Sequence, residues 1–168
     1  MRIPSLKLNT FKHVGLFVGV AFIISSCNNQ AVEYNNALVK IQLGVLPQVQ
    51  SFAKKWSANV DSSNMHNILP EAKQIVQLLD QKIAALTTLP VVEGSQNLKT
   101  AIQDQLEFER NLCYKLGRLG DPNVTSEEKA AIEAEFIKTA PDADRITARV
   151  TETQKEFAQK NHFTLQNK

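Results

Sequence analysis

Histidine, methionine and cysteine, the side chains from which helical proteins most often build metal and haem sites, are scarce here: three His, two Met and two Cys in 168 residues. No Glu-x-x-His occurs, so the inward-facing pairs of a carboxylate-bridged di-metal site are missing. Covalent haem needs Cys-x-x-Cys-His, which is also absent. A non-covalent haem in a helical bundle asks for Met or His near the start of the first helix. His162 stands at the other end of the chain, but the first helical stretch has neither residue, and Met65-His66 falls in the connection after it. Asp121, Asn123, Thr125 and Glu127 have the alternate spacing of the first calcium ligands of an EF-hand. Ser126 then replaces the glycine at position six, and Ile132 the glutamate at position twelve. Gly-x-Ser-x-Gly and glycine-rich phosphate loops are missing too. Glu107 and Glu109, or Glu133 and Glu135, are two apart on helices and diverge around the axis. The expectation is a protein without cofactor or catalytic residues.

A long hydrophobic run is also lacking. The longest weakly polar to apolar stretch, Val14 to Ile24, would span only about 16 Å as a helix, against about 30 Å for a bilayer core. Arg2, Lys7 and Lys12 precede it with no acidic residue, and Ser25-Ser26-Cys27 follows. A basic start, a short apolar run and small residues make a secretory signal peptide. Ile24-Ser25-Ser26-Cys27 resembles the lipobox of bacterial lipoproteins: an aliphatic residue, two small residues and the cysteine. That resemblance implies lipidation of Cys27, a cut before it, and a mature chain held by its N-terminus. Residues 1–26 are then signal, 27–30 the lipidated cysteine with a short polar tether, and 31–168 the domain. Asn28, rather than Asp, after the cysteine resembles an outer-membrane address. Plain secretion is the rival reading.

Loss of the signal changes the charge balance. Removing Arg2, Lys7 and Lys12 from the 19 basic residues leaves 16 against 17 acidic ones, a net charge of −1. Such a domain has no electrostatic footprint for nucleic acid and no basic tract for anionic lipid. With Cys27 acylated, Cys113 is the last thiol, so no internal disulfide forms and packing alone must stabilise the fold. Cys113 lies within an apolar helical pattern and reads as a small buried hydrophobe.

Apolar residues recur at steps of three and four along nearly the whole remaining chain. Tyr34, Leu38, Ile41, Val45, Val49, Phe52 and Trp56 form one stripe, predicting a helix kinked at Pro47. The Ser57–Asn67 stretch is a connection. Ala72, Val76, Leu79, Ile83 and Leu86 mark a second helix, begun at Pro70 and ended by Pro90. Leu98, Ile102, Leu106, Cys113 and Leu116 mark a third, with Phe108, Leu112 and Leu119 widening its face. Thr125-Ser126-Glu127-Glu128 is a capping box. The fourth helix behind it carries Ile132, Phe136, Ala140, Ala143, Ile146, Val150, Thr153 and Phe157, with a second start signal at Pro141. The sum is an all-α protein, expected as an up-down-up-down four-helix bundle.

The opening of the mature region, from Cys27 through Glu33-Tyr34-Asn35-Asn36 to Gln42, resembles a family of small helical surface lipoproteins of Bacteroidota-type bacteria and leptospires. The resemblance implies a membrane-tethered helical protein with no assigned activity, and it supplies no catalytic residues. From the residues alone, Tyr34 packs while Asn35 and Asn36 face water. Two functions fit. One is a non-catalytic envelope lipoprotein that binds or scaffolds a protein, peptidoglycan or a host surface. The other is a bundle carrying an apolar small molecule or haem between its helices, entering where Pro47 or Pro141 opens a gap.

Overall fold

The computed structural model describes residues 21–24, 29–59 and 65–167. The basic start of the expected signal peptide, Cys27 and Asn28, and part of the Ser57–Asn67 connection lie outside these. The described chain is almost wholly helical: α1 (Asn29–Leu43), α2 (Leu46–Asn59), a short 3-10 turn (Met65–Ile68), α3 (Leu69–Thr87), α4 (Gln96–Leu119), α5 (Ser126–Thr139) and α6 (Asp142–Lys160). The exception is an antiparallel pairing of β1 (Ala21–Ile24) with β2 (Thr164–Asn167), in which Ile24 faces Thr164. None of the described helices is long and apolar enough to cross a membrane.

The first apolar stripe holds its phase over its whole length, and all seven of its residues are buried. The bend lies not at Pro47 but just before it. Gly44 N donates to Lys40 O at 3.1 Å and Val45 N to Gln42 O at 3.2 Å, closing α1 in a tight turn before α2 begins. Pro47 thus falls in the first turn of α2, where its missing N–H needs no partner.

α4 is central. It packs most extensively on α3, then on α6, and also touches α1 and α5. The α3–α4 approach is close because Gly117 has no side chain: a Cβ there would sit 2.6 Å from the Ala72 Cβ. Ala72, Ile75, Leu79 and Leu86 of α3 meet Leu98, Ile102, Leu106, Cys113 and Leu116 of α4 in one continuous core with Phe52, Trp56 and Phe157. Val76 and Ile83, expected on the α3 face, are only partly buried, packed against the core.

The last stripe is divided. Thr125 caps α5 with both bonds of the box, its hydroxyl accepting from Glu128 N at 3.2 Å and its N–H donating to Glu128 Oε2 at 3.2 Å. The chain then breaks at Ala140-Pro141. Phe136 is the only fully buried residue of α5. Surface pairs, Lys115–Glu135 (2.6 Å) and Arg118–Glu128 (3.0 Å), join α5 to the second half of α4. α6 is better seated, through Val150, Thr153, Gln154, Phe157 and Ala158.

One end of the molecule gathers three parts of the chain: the start of α1, the α3–α4 connection and the end of α6. Tyr34 packs edge-on against Phe157 at 5.8 Å, and Phe157 against Phe163 at 5.7 Å. Asn161 Nδ2 donates to Glu93 O at 3.4 Å.

Candidate functional site

The apolar stripes of α1, α4 and α6 are interrupted by polar residues that point inward. Asn35 and Gln42 stand two turns apart on α1, Gln105 and Glu109 one turn apart on α4, and Gln154 on α6; all are buried. Gln42 Nε2 donates to Gln105 Oε1 at 3.0 Å, and Gln105 Nε2 donates to Glu109 Oε1 at 2.9 Å. Gln154 Nε2 donates to Asn35 Oδ1 at 3.0 Å. The expectation that Asn35 faces water is therefore corrected. Asn35 is wholly buried and only Asn36 is exposed, because a polar residue at a core position is tolerated where another helix supplies a partner.

This seam is not fully satisfied. Glu109 Oε2 and Asn35 Nδ2 have no hydrogen-bond partner. Glu109 is 4 % exposed, and burial pushes its carboxyl up to about 7, with the Gln105 bond pulling slightly the other way. No charged group lowers it. One turn on, the Cys113 thiol is pushed up to about 12, first by burial and then by the neighbouring Glu109. Cys113 is accordingly a buried, protonated side chain. Tyr34, its phenol raised mainly by burial, points toward Ser95 without closing a hydrogen bond of good geometry.

The remaining sequence candidates do not converge. His162 is the second residue past α6, after the Asn161 cap, with φ of +57°. Its N–H donates to Gln159 O at 3.2 Å and that of Phe163 to Ala158 O at 3.0 Å, the paired bonds of a helix-ending Schellman turn. His162 and His66 are both exposed. Asp121 Oδ1 accepts from Asn123 N at 2.9 Å and Asn123 Nδ2 at 3.1 Å, which folds the turn before α5 and leaves Thr125 as its cap. Glu107 turns outward to Gln103 while Glu109 turns in, as their spacing requires. Among the described residues, no three of His, Cys, Asp and Glu cluster as a metal would need. Cys27 lies outside the described residues.

Two open grooves flank α3. One, of about 440 Å³ between α3 and α4, has Leu69, Ala72, Val76 and Gly117 as its floor, with Lys73 and Tyr114 at its rim. The other, of about 370 Å³ between α2 and α3, is bounded by Pro47, Ser51, Glu71 and Ile75.

Sequence reasoning passed over Gln105 and took Glu109 only as half of a diverging acidic pair, although a signal for its core position was present. The steps Leu98, Ile102, Gln105, Glu109, Cys113 and Leu116 continue unbroken at three and four, so a carboxylate occupies a core position of the stripe. Compared with known proteins, the chain matches no family model, no curated protein and no solved structure.

Proposed function

We propose that the protein is a lipid-anchored lipoprotein of the bacterial envelope, held through Cys27 in the outer membrane, with a non-catalytic binding or scaffolding role. Its body is read as a four-helix bundle whose four rods are α1–α2, α3, α4 and α5–α6, each reversing the direction of the one before. The observation that carries this reading is the string Ile24-Ser25-Ser26-Cys27 behind a short apolar run, with α1 starting only two residues later at Asn29. A cut before Cys27 would remove β1 and leave β2 without its partner. The partner in this reading is an envelope or host protein; the near-neutral balance of residues 27–168, 16 basic against 17 acidic, offers nucleic acid no basic footprint.

The test is the mass of the protein extracted from its own membranes, taken native and denatured. A denatured mass above that of residues 27–168 by a diacylglyceryl and an acyl group is expected. The bare polypeptide mass would return the reading to ordinary secretion.

A carrier of an apolar small molecule is the second reading, and the α3–α4 groove favours it. Its volume falls in the range of small-ligand sites and its floor is apolar. The ligand would then lie on the flank of α3, beside Lys73 and Tyr114, rather than between all four rods. Mass lost only on denaturation would identify such cargo.

A further inference from the structure

The α3–α4 connection carries Leu89-Pro90-Val91, and Val91 is 86 % exposed, more than any other large apolar side chain described. This exposure is not slackness of the loop. The next residue, Val92, is buried in the core. Its N–H donates to Ser95 Oγ at 3.3 Å, and its carbonyl accepts from Ser95 N at 3.0 Å. Gly94 turns the chain at φ of +75°, a conformation that suits glycine. Asn161 of the α6 end holds the Glu93 carbonyl. Val91 is thus fixed outward by neighbours that are themselves tied down.

The position of this tip gives it a meaning. It stands at the end of the molecule where α1 begins, and Asn29 is two residues, at most about 7 Å of extended chain, from Cys27. A lipidated Cys27 brings that end against the headgroups. Beside the tip, Glu93 and Lys160 face each other at 3.5 Å, and the Lys99 ammonium donates to the Thr87 carbonyl at 3.2 Å, so the charges nearest Val91 are one ion pair and one cation that headgroup phosphates can accommodate.

We infer that the Pro90-Val91 tip is a second contact with the bilayer surface, with Leu89 holding it against the core and Val91 entering the interface beside the lipidated N-terminus. The acyl chains supply the attachment, and the tip sets the tilt of the rods above the membrane. This inference rests on the lipoprotein reading.

The experiment uses the mature lipidated protein with a fluorophore attached at Val91→Cys or, as a control, at Ile137→Cys. Ile137 is 61 % exposed on α5, two residues from Glu135 and its partner Lys115 near the opposite end of α4. Buried Cys113 and acylated Cys27 do not compete for the label. Each protein is reconstituted into phosphatidylethanolamine–phosphatidylglycerol vesicles with and without nitroxide lipids, then floated on a density gradient and weighed by mass spectrometry. Flotation with several-fold stronger nitroxide quenching at position 91 than at 137, and weaker quenching there by aqueous iodide, is the expected result. Flotation with equal iodide access at both positions overturns the loop contact and leaves the anchor standing. Protein that lacks the lipid mass and fails to float overturns both.

Discussion

Glu109 makes the stability of the fold depend on pH in a direction opposite to that of most carboxylates. Its carboxyl titrates near 7 in the folded protein, against an ordinary value of 4.5, because burial disfavours the charged form. The folded state therefore holds this proton more tightly than the unfolded chain. Its contribution is fully present below pH 4.5 and is lost as pH rises toward 7. The slope is about 1.4 kcal/mol per pH unit and the total about 3 kcal/mol. Replacing Glu109 with Gln keeps the shape and an acceptor for Gln105 Nε2 but cannot ionise. Glu109→Gln is expected to match the native protein near pH 4.5 and to exceed it by about 3 kcal/mol at pH 8. For a domain of this size that is a rise in Tm on the order of 10 °C. Trp56, the single tryptophan and fully buried, reports unfolding in guanidinium titrations between pH 4.5 and 8. Native stability that stays level or rises through this window, with Glu109→Gln running parallel to it, would refute the reasoning.

Gly117→Val pushes a branched side chain against Ala72, where even a Cβ would lie 2.6 Å away, and is expected to cost about 2 kcal/mol in chemical denaturation. Thr125→Ala removes the hydroxyl that accepts from Glu128 N and should cost about 1 kcal/mol; hydrogen exchange should quicken first in the opening turn of α5. Asn35→Leu alone leaves the buried Gln154 amide unpaired and should cost about 1–3 kcal/mol. Adding Gln154→Leu should recover much of that loss, and a double-mutant cycle measures the coupling.

Most of the fold was legible because burial and helical period coincide. The α1–α2 stripe, Leu98 through Leu116, and Phe157 are all buried where their spacing puts them. The capping box at Thr125 is formed with both of its bonds. Less legible were the places where local and tertiary effects compete. Pro47 draws attention as the breaker, yet the chain turns at Gly44-Val45, since proline is at ease in a first turn and Gly44 leaves room for Lys82 alongside. The polar seam was missed because spacing assigns a residue to a face, while only a partner on another helix decides whether Asn35 or Glu109 can remain there. His162, set aside as a haem ligand because the first helix offers no partner, is exposed as its sequence context suggests; its positive φ and its part in ending α6 were not legible from spacing.

The seam also bears on why the helices adopt one alignment rather than several. Apolar stripes of similar width pack almost as well after a slip of one turn, about 5.4 Å, because hydrophobic burial has little direction. Hydrogen bonds do have direction. Asn35 and Gln42 lie seven residues apart on α1, and they bond to two different helices, Gln154 on α6 and Gln105 on α4. A slip of α1 by one turn breaks both pairs at once and leaves several amide groups without partners in an apolar surround, each at about 1–3 kcal/mol. The unpaired Glu109 Oε2 and Asn35 Nδ2 lower the stability of the native alignment. The two pairs raise the energy of its competitors by more, so the seam widens the gap between the correct packing and the slipped ones while narrowing the margin over the unfolded chain.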